Sequence, residues 1–150
     1  MTRTTRNPEA RRLEIVLAAR GLFLNKGYDE TTVQDVMTKI GIAKGTVYHY
    51  FNSKEDLLEA VIEYSVDEYV EGLRSVLNKT KGNALERMRT LVLASNIKDE
   101  QAEVIENLHR PGNVGMHARQ LAVTFSRLAP LYAGVIDQGC EEKLFHTDYP

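Results

Sequence analysis

The chain has 150 residues, 43% of them hydrophobic and 27% charged, which is enough to bury a core in one domain or two small ones and excludes a fibrous or disordered polymer. No apolar run approaches the roughly 20 residues of a membrane-spanning helix, the N-terminus lacks a signal-peptide core, and Cys140 is a lone cysteine, so a reducing, cytoplasmic setting without a disulfide is expected. The net charge of −2 hides an asymmetry: residues 1–54 hold nine Lys/Arg against five Asp/Glu, the remainder ten against sixteen, so one half suits an anionic partner and the other does not.

In chain order, Ile15, Val16, Ala19, Leu22 and Phe23 draw one apolar stripe, which predicts a helix ending before Gly27. Thr31 or Thr32 caps a second helix, with Gln34 or Asp35 three residues on, and that helix turns Val33, Val36, Met37 and Ile40 inward before stopping at Gly41. A third, short helix has room only from about Ala43 to Phe51, with Val47 and Phe51 as its inward anchors. Ser53 and Asp56 then open a long helix through Leu57, Leu58, Val61, Ile62, Tyr69 and Leu73, whose acids Glu55, Asp56, Glu59, Glu63, Asp67 and Glu68 read as a solvated face.

After Lys79-Thr80-Lys81-Gly82, periodicity resumes at Leu85, Met88, Leu91, Val92 and Ser95. A shorter piece spans about Glu103 to His109 before Pro111-Gly112, and a last helix runs from near Val114 to Cys140 with a kink expected at Pro130. No alternation of strand type appears, so the fold class is all-α.

The stretch "GIAKGTVYHYF", residues 41–51, carries few side chains to bury and many that can meet a polyanion. Two short helices joined at Gly41 behind a longer one make a tri-helical unit containing a helix-turn-helix, whose second helix can enter a major groove about 12 Å wide. Lys44 then reaches a phosphate or a guanine edge, Gly45 permits close approach of the backbone, and Thr46 donates to a phosphate or touches a thymine methyl. Tyr48, His49 and Tyr50 face base edges and backbone oxygens, while Thr32 and Lys54 start the flanking helices, where free N–H groups favour an anion. The plainer alternatives are core packing for Tyr50 and solvated surface positions for His49 and the lysines.

These same residues resemble the N-terminal domain of the TetR family of bacterial transcriptional repressors, through "AARGLFLNKGYDETTVQDV", "GIAKGTVYHYF" and "SKEDLL" between about Arg11 and Leu58. The resemblance implies DNA contacts at Thr32, Lys44, Gly45, Thr46, Tyr48, His49, Tyr50 and Lys54, in a DNA-binding domain of residues 1–54. Met37 departs from a usual alanine, and Ala43 departs from a usual serine cap worth about 1 kcal/mol. For residues 55–150 the resemblance implies a helical effector-binding and dimerisation domain. By the same resemblance "GCEEKLFHTDYP" looks like the segment that leads into the two final helices with which such a domain dimerises, so those helices are expected to be missing from this sequence.

A small-molecule effector and operator DNA are therefore the expected partners, with a homodimer expected for the family. Met88, His109, His117, Leu121 and Phe125 are the candidates for the effector pocket, although apolar residues at helical spacing also read as plain core. His109, His117, Cys140 and His146 do not have the spacing of a zinc site, so neither metal nor other cofactor is expected. With no phosphate loop or nucleophile elbow, an enzyme is the weakest alternative, behind a helix-turn-helix regulator that lacks an effector.

Overall fold

The computed structural model describes residues 7–95 and 114–148, and within them all regular structure is helical. The helices are α1 (Pro8–Lys26), α2 (Val33–Ile40), α3 (Lys44–Tyr50), α4 (Lys54–Lys79), α5 (Ala84–Ser95) and α6 (Val114–Glu141). None is long and apolar enough to cross a membrane. The short helix expected at 103–109 falls outside the described residues. The described chain divides into two compact units, residues 7–64 with 114–119 and residues 65–95 with 120–148, so α4 and α6 each contribute to both.

In the first unit, Asn7 caps α1 by accepting from the Glu9 N–H at 3.1 Å, and Pro8 stands where its missing donor costs nothing. Ile15, Val16, Ala19 and Phe23 are buried as their spacing requires, joined by Ala18, while Leu22 is only half-buried. Gly27 ends the helix at φ 96°, its N–H donating to the Phe23 carbonyl. The choice between Thr31 and Thr32 resolves into two roles. Thr31 is buried and donates to the Gly27 carbonyl at 2.6 Å, closing the turn, whereas Thr32 caps α2.

Helix α2 buries Val36 and Met37 and keeps Val33 and Ile40 half-buried. Gly41, at φ 65° and ψ 41°, takes the left-handed conformation that a side chain would resist, and the Ile42 N–H returns to the Met37 carbonyl at 3.1 Å. Ala43 and Phe51 flank α3 in extended conformation, and Ala43 offers no side-chain cap, as its departure from serine implies. Val47 and Phe51 are the buried anchors of this segment. Ser53 Oγ accepts from the Asp56 N–H at 3.0 Å while Asp56 accepts from the Asn52 N–H at 2.9 Å, so the reciprocal bond lands one residue earlier than a standard capping box. Leu57, Leu58, Ala60, Val61 and Ile62 complete the buried set of this unit.

The second unit is built on Leu73 and Leu77 of α4, Ala84 and Leu91 of α5, and Val135 of α6, with Met88, Leu128, Leu131, Tyr132 and Phe145 packed around them. Leu85 and Val92, expected inward on α5, are instead 59% and 49% exposed. The packed face is the neighbouring one, through Ala84, Met88 and Leu91. Tyr69 also lies at the surface, and Val70 takes the buried position beside it.

The start of α5 is fixed twice, by reciprocal Asn83 and Glu86 bonds of 3.0–3.1 Å and by Glu142, which accepts from the Ala84 N–H at 2.8 Å. That N–H, seconded by Gln138, holds the Glu142 carboxyl below its ordinary range. Helix α6 continues through Pro130, which has no N–H to give to the carbonyl of the exposed Ser126. The acidic surface of α4 is as expected at Glu55, Glu59, Glu63, Asp67 and Glu68, all exposed.

Candidate nucleic-acid interface

The start of α2, the start of α3 and the start of α4 border an open groove of about 350 Å³. Four of the eight residues singled out for DNA line it: Thr32, Lys44, Tyr48 and Lys54. Their sequence separation is bridged by the Gly41 turn and by the Asn52-Ser53 connection, so local capping chemistry places them side by side. Asp29, Thr31, Val33, Gln34 and Met37 line the same groove.

Tyr48 is 44% exposed on α3, and the Lys44 ammonium lies 5.6 Å from the centre of its ring. Burying Val47 turns Tyr48 outward, because consecutive helical residues point about 100° apart. His49 is exposed and meets Tyr50 edge-on at 5.0 Å, and Tyr50 is half-buried, between the two roles that its position allows. Thr46 is half-buried and its N–H donates to the Ala43 carbonyl at 2.9 Å.

Gly45 is exposed, and a Cβ built there meets nothing within 4 Å. Glycine in a helix costs about 0.5–1 kcal/mol relative to alanine, and among the described residues no contact at this position requires it. Gly72, Gly115 and Gly134 are equally open within their helices, so the space at Gly45 is distinguished by its place at the start of α3 beside the groove.

Lys54 is more constrained than a solvated lysine. Its ammonium donates to the Asp29 carbonyl at 3.2 Å and lies 4.2 Å from the centre of the Tyr28 ring. Tyr28 in turn donates to Glu55 Oε1 at 3.3 Å, and burial together with that carboxylate pushes its hydroxyl up to about 12, so the ring stays neutral under the cation.

Thr32 is engaged inward. Its hydroxyl accepts from the Asp35 N–H at 3.1 Å and donates to Asp35 Oδ2 at 2.8 Å, while its own N–H donates to that oxygen at 2.7 Å. Those bonds, with the Lys26 ammonium at 2.9 Å, hold the Asp35 carboxyl down at about 2, the Thr32 backbone bond contributing most. The Lys26 ammonium thereby offsets the carboxylate charge at the start of α2.

Of the five effector candidates, Met88 packs against the core of the second unit, and Leu121 and Phe125 are 43% and 67% exposed. His109 and the side chain of His117 lie outside what is described. Sequence reading missed Gln34 and Tyr28. In the sequence Gln34 reads as a capping partner, yet as the second residue of α2 it lines the groove that the Thr32 cap also borders.

Two family models match the chain: bacterial regulatory proteins of the tetR family over residues 15–61, and a tetracyclin repressor-like C-terminal domain over residues 94–150. The transcriptional repressor KstR2 of Mycobacterium tuberculosis is 28% identical over an alignment that covers 99% of this chain and 76% of the repressor. Among solved structures, a Pseudomonas aeruginosa PAO1 protein described as a transcriptional regulator superposes with a TM-score of 0.76 at 21% identity, covering 97% of this chain and 73% of that one. The regulator FadR of Bacillus subtilis, solved in complex with stearoyl-CoA, superposes at 0.68 with 19% identity, covering 92% and 75%. With helix-turn-helix and C-terminal matches in chain order on an all-helical frame, the chain belongs to the TetR family of DNA-binding transcriptional regulators.

Proposed function

We propose that this chain represses transcription as a homodimer on a palindromic operator, reading DNA through residues 1–54 and leaving it when a small molecule binds residues 55–150. The observation that carries the reading is the convergence of Thr32, Lys44, Tyr48 and Lys54 on one open groove, beside the uncovered backbone of Gly45. Thr46, His49 and Tyr50 complete the proposed contact set on the same short helix. A two-fold pair of recognition helices matches two half-sites about 34–36 Å apart, one helical turn of DNA.

An acyl-CoA thioester is the effector class to try first, because the structurally similar B. subtilis FadR was solved with stearoyl-CoA. Met88, Leu121 and Phe125 are proposed as its apolar contacts, with His109 and His117 as polar ones. Helix α4 contributes to both units, so a ligand that favours a displaced α4 would take Tyr48 and His49 out of register with their base pairs.

The test is titration of the full chain onto a palindromic duplex from the DNA flanking its gene, beside a duplex with one half-site scrambled, with and without stearoyl-CoA. Two chains per intact palindrome, and weaker binding when stearoyl-CoA is added, are the expected results. One chain per duplex at every concentration contradicts the dimer, and affinity indifferent to stearoyl-CoA contradicts that effector class.

A further inference from the structure

We propose that Gln34 reads a base, giving the protein a second reading position on α2 that selects adenine in an A·T pair. The proposal deepens the DNA-binding function and rests on it. Gln34 is exposed at the second position of α2 and lines the groove shared by Thr32, Lys44, Tyr48 and Lys54. Nothing in the capping of α2 uses its side chain, because Thr32 and Asp35 satisfy one another there.

The amide is steadied without being consumed. The Thr38 hydroxyl donates to the Gln34 carbonyl at 2.8 Å, which turns a lone pair of Thr38 Oγ1 toward Gln34 Nε2, 3.5 Å away. A contact at that distance is weak enough to exchange for a base edge, yet it biases the amide plane along the exposed side of α2. A carboxamide offers one donor and one acceptor side by side, the complement of adenine N7 and N6 in the major groove. Guanine presents two acceptors to the same pair of atoms, and one of them would face the amide oxygen.

The experiment is selection from a randomised duplex library by the full 150-residue chain, by Gln34→Ala and by Gln34→Arg, with thermal melts of each protein. The unsubstituted chain is expected to enrich a motif containing an adenine position with a preference of roughly 5- to 150-fold, the range of a good bidentate contact. Gln34→Ala should flatten that position and leave the rest of the motif, and Gln34→Arg should move it to guanine, a gain that misfolding cannot imitate. An unchanged motif from Gln34→Ala, or adenine retained at every position by Gln34→Arg, overturns the assignment. Absence of any motif from the unsubstituted chain overturns the DNA-binding function beneath it, and the assignment with it.

Discussion

Phe51→Ala is expected to lower the stability of the first unit by about 3–5 kcal/mol, the cost of removing a buried ring and leaving a cavity. Phe51 is 2% exposed and sits in extended conformation between α3 and α4, its N–H donating to the Val47 carbonyl at 3.0 Å. The Arg12 guanidinium lies 5.1 Å from the centre of the ring, so α1 loses a cation–π contact as well. Because a domain has only about 5–15 kcal/mol in total, the midpoint of a urea melt followed by circular dichroism should move far toward zero. Phe51→Leu keeps most of the volume and is expected to cost less than about 1.5 kcal/mol. A loss below about 1 kcal/mol from Phe51→Ala would mean that the orientation of α3 does not depend on this anchor.

Gly45→Ala separates folding from function. The added Cβ meets nothing within 4 Å, so the helix should gain up to about 1 kcal/mol and the melting temperature should rise. If the bare backbone at Gly45 lies against DNA, the same substitution should weaken operator binding by about tenfold, equivalent to about 1.4 kcal/mol. Melting and DNA titration of one variant therefore move in opposite directions. Unchanged affinity would reduce Gly45 to an ordinary surface glycine.

The first four helices are legible in the sequence because their signals are local. Asp35 three residues after Thr32, and Asp56 three after Ser53, fix two helix starts, and a 3.6-residue period marks Ile15, Val16, Ala19 and Phe23 as one face. Helix α5 shows where this fails. Leu85 and Val92 share the seven-residue spacing of Ala84 and Leu91, one position away, and periodicity alone does not say which of two adjacent apolar faces meets a partner. Leu121 and Phe125 pose the same problem on α6, an apolar pair at i, i+4 that lies exposed.

The candidate interface was half legible. Lys44, Tyr48 and Lys54 stand out by residue type on two adjacent helices, but the stacking of Lys54 on Tyr28 and the placement of Gln34 in one groove with Tyr48 depend on packing across turns. Thr32 was legible as a cap, and the structure adds that its hydroxyl hydrogen is already given to Asp35. A phosphate contact through that hydrogen requires this bond to be exchanged.

Whether α3 reads sequence is decided by binding of the full chain to the DNA flanking its own gene at two salt concentrations. A scrambled duplex of equal length and Tyr48→Ala stand beside it. A sequence-reading α3 gives a preference for the native duplex that persists at both salts and that Tyr48→Ala removes, leaving weaker binding that falls steeply with salt. Equal affinity for the native and scrambled duplexes, unaltered by Tyr48→Ala, would contradict it and reduce the interface to phosphate contacts.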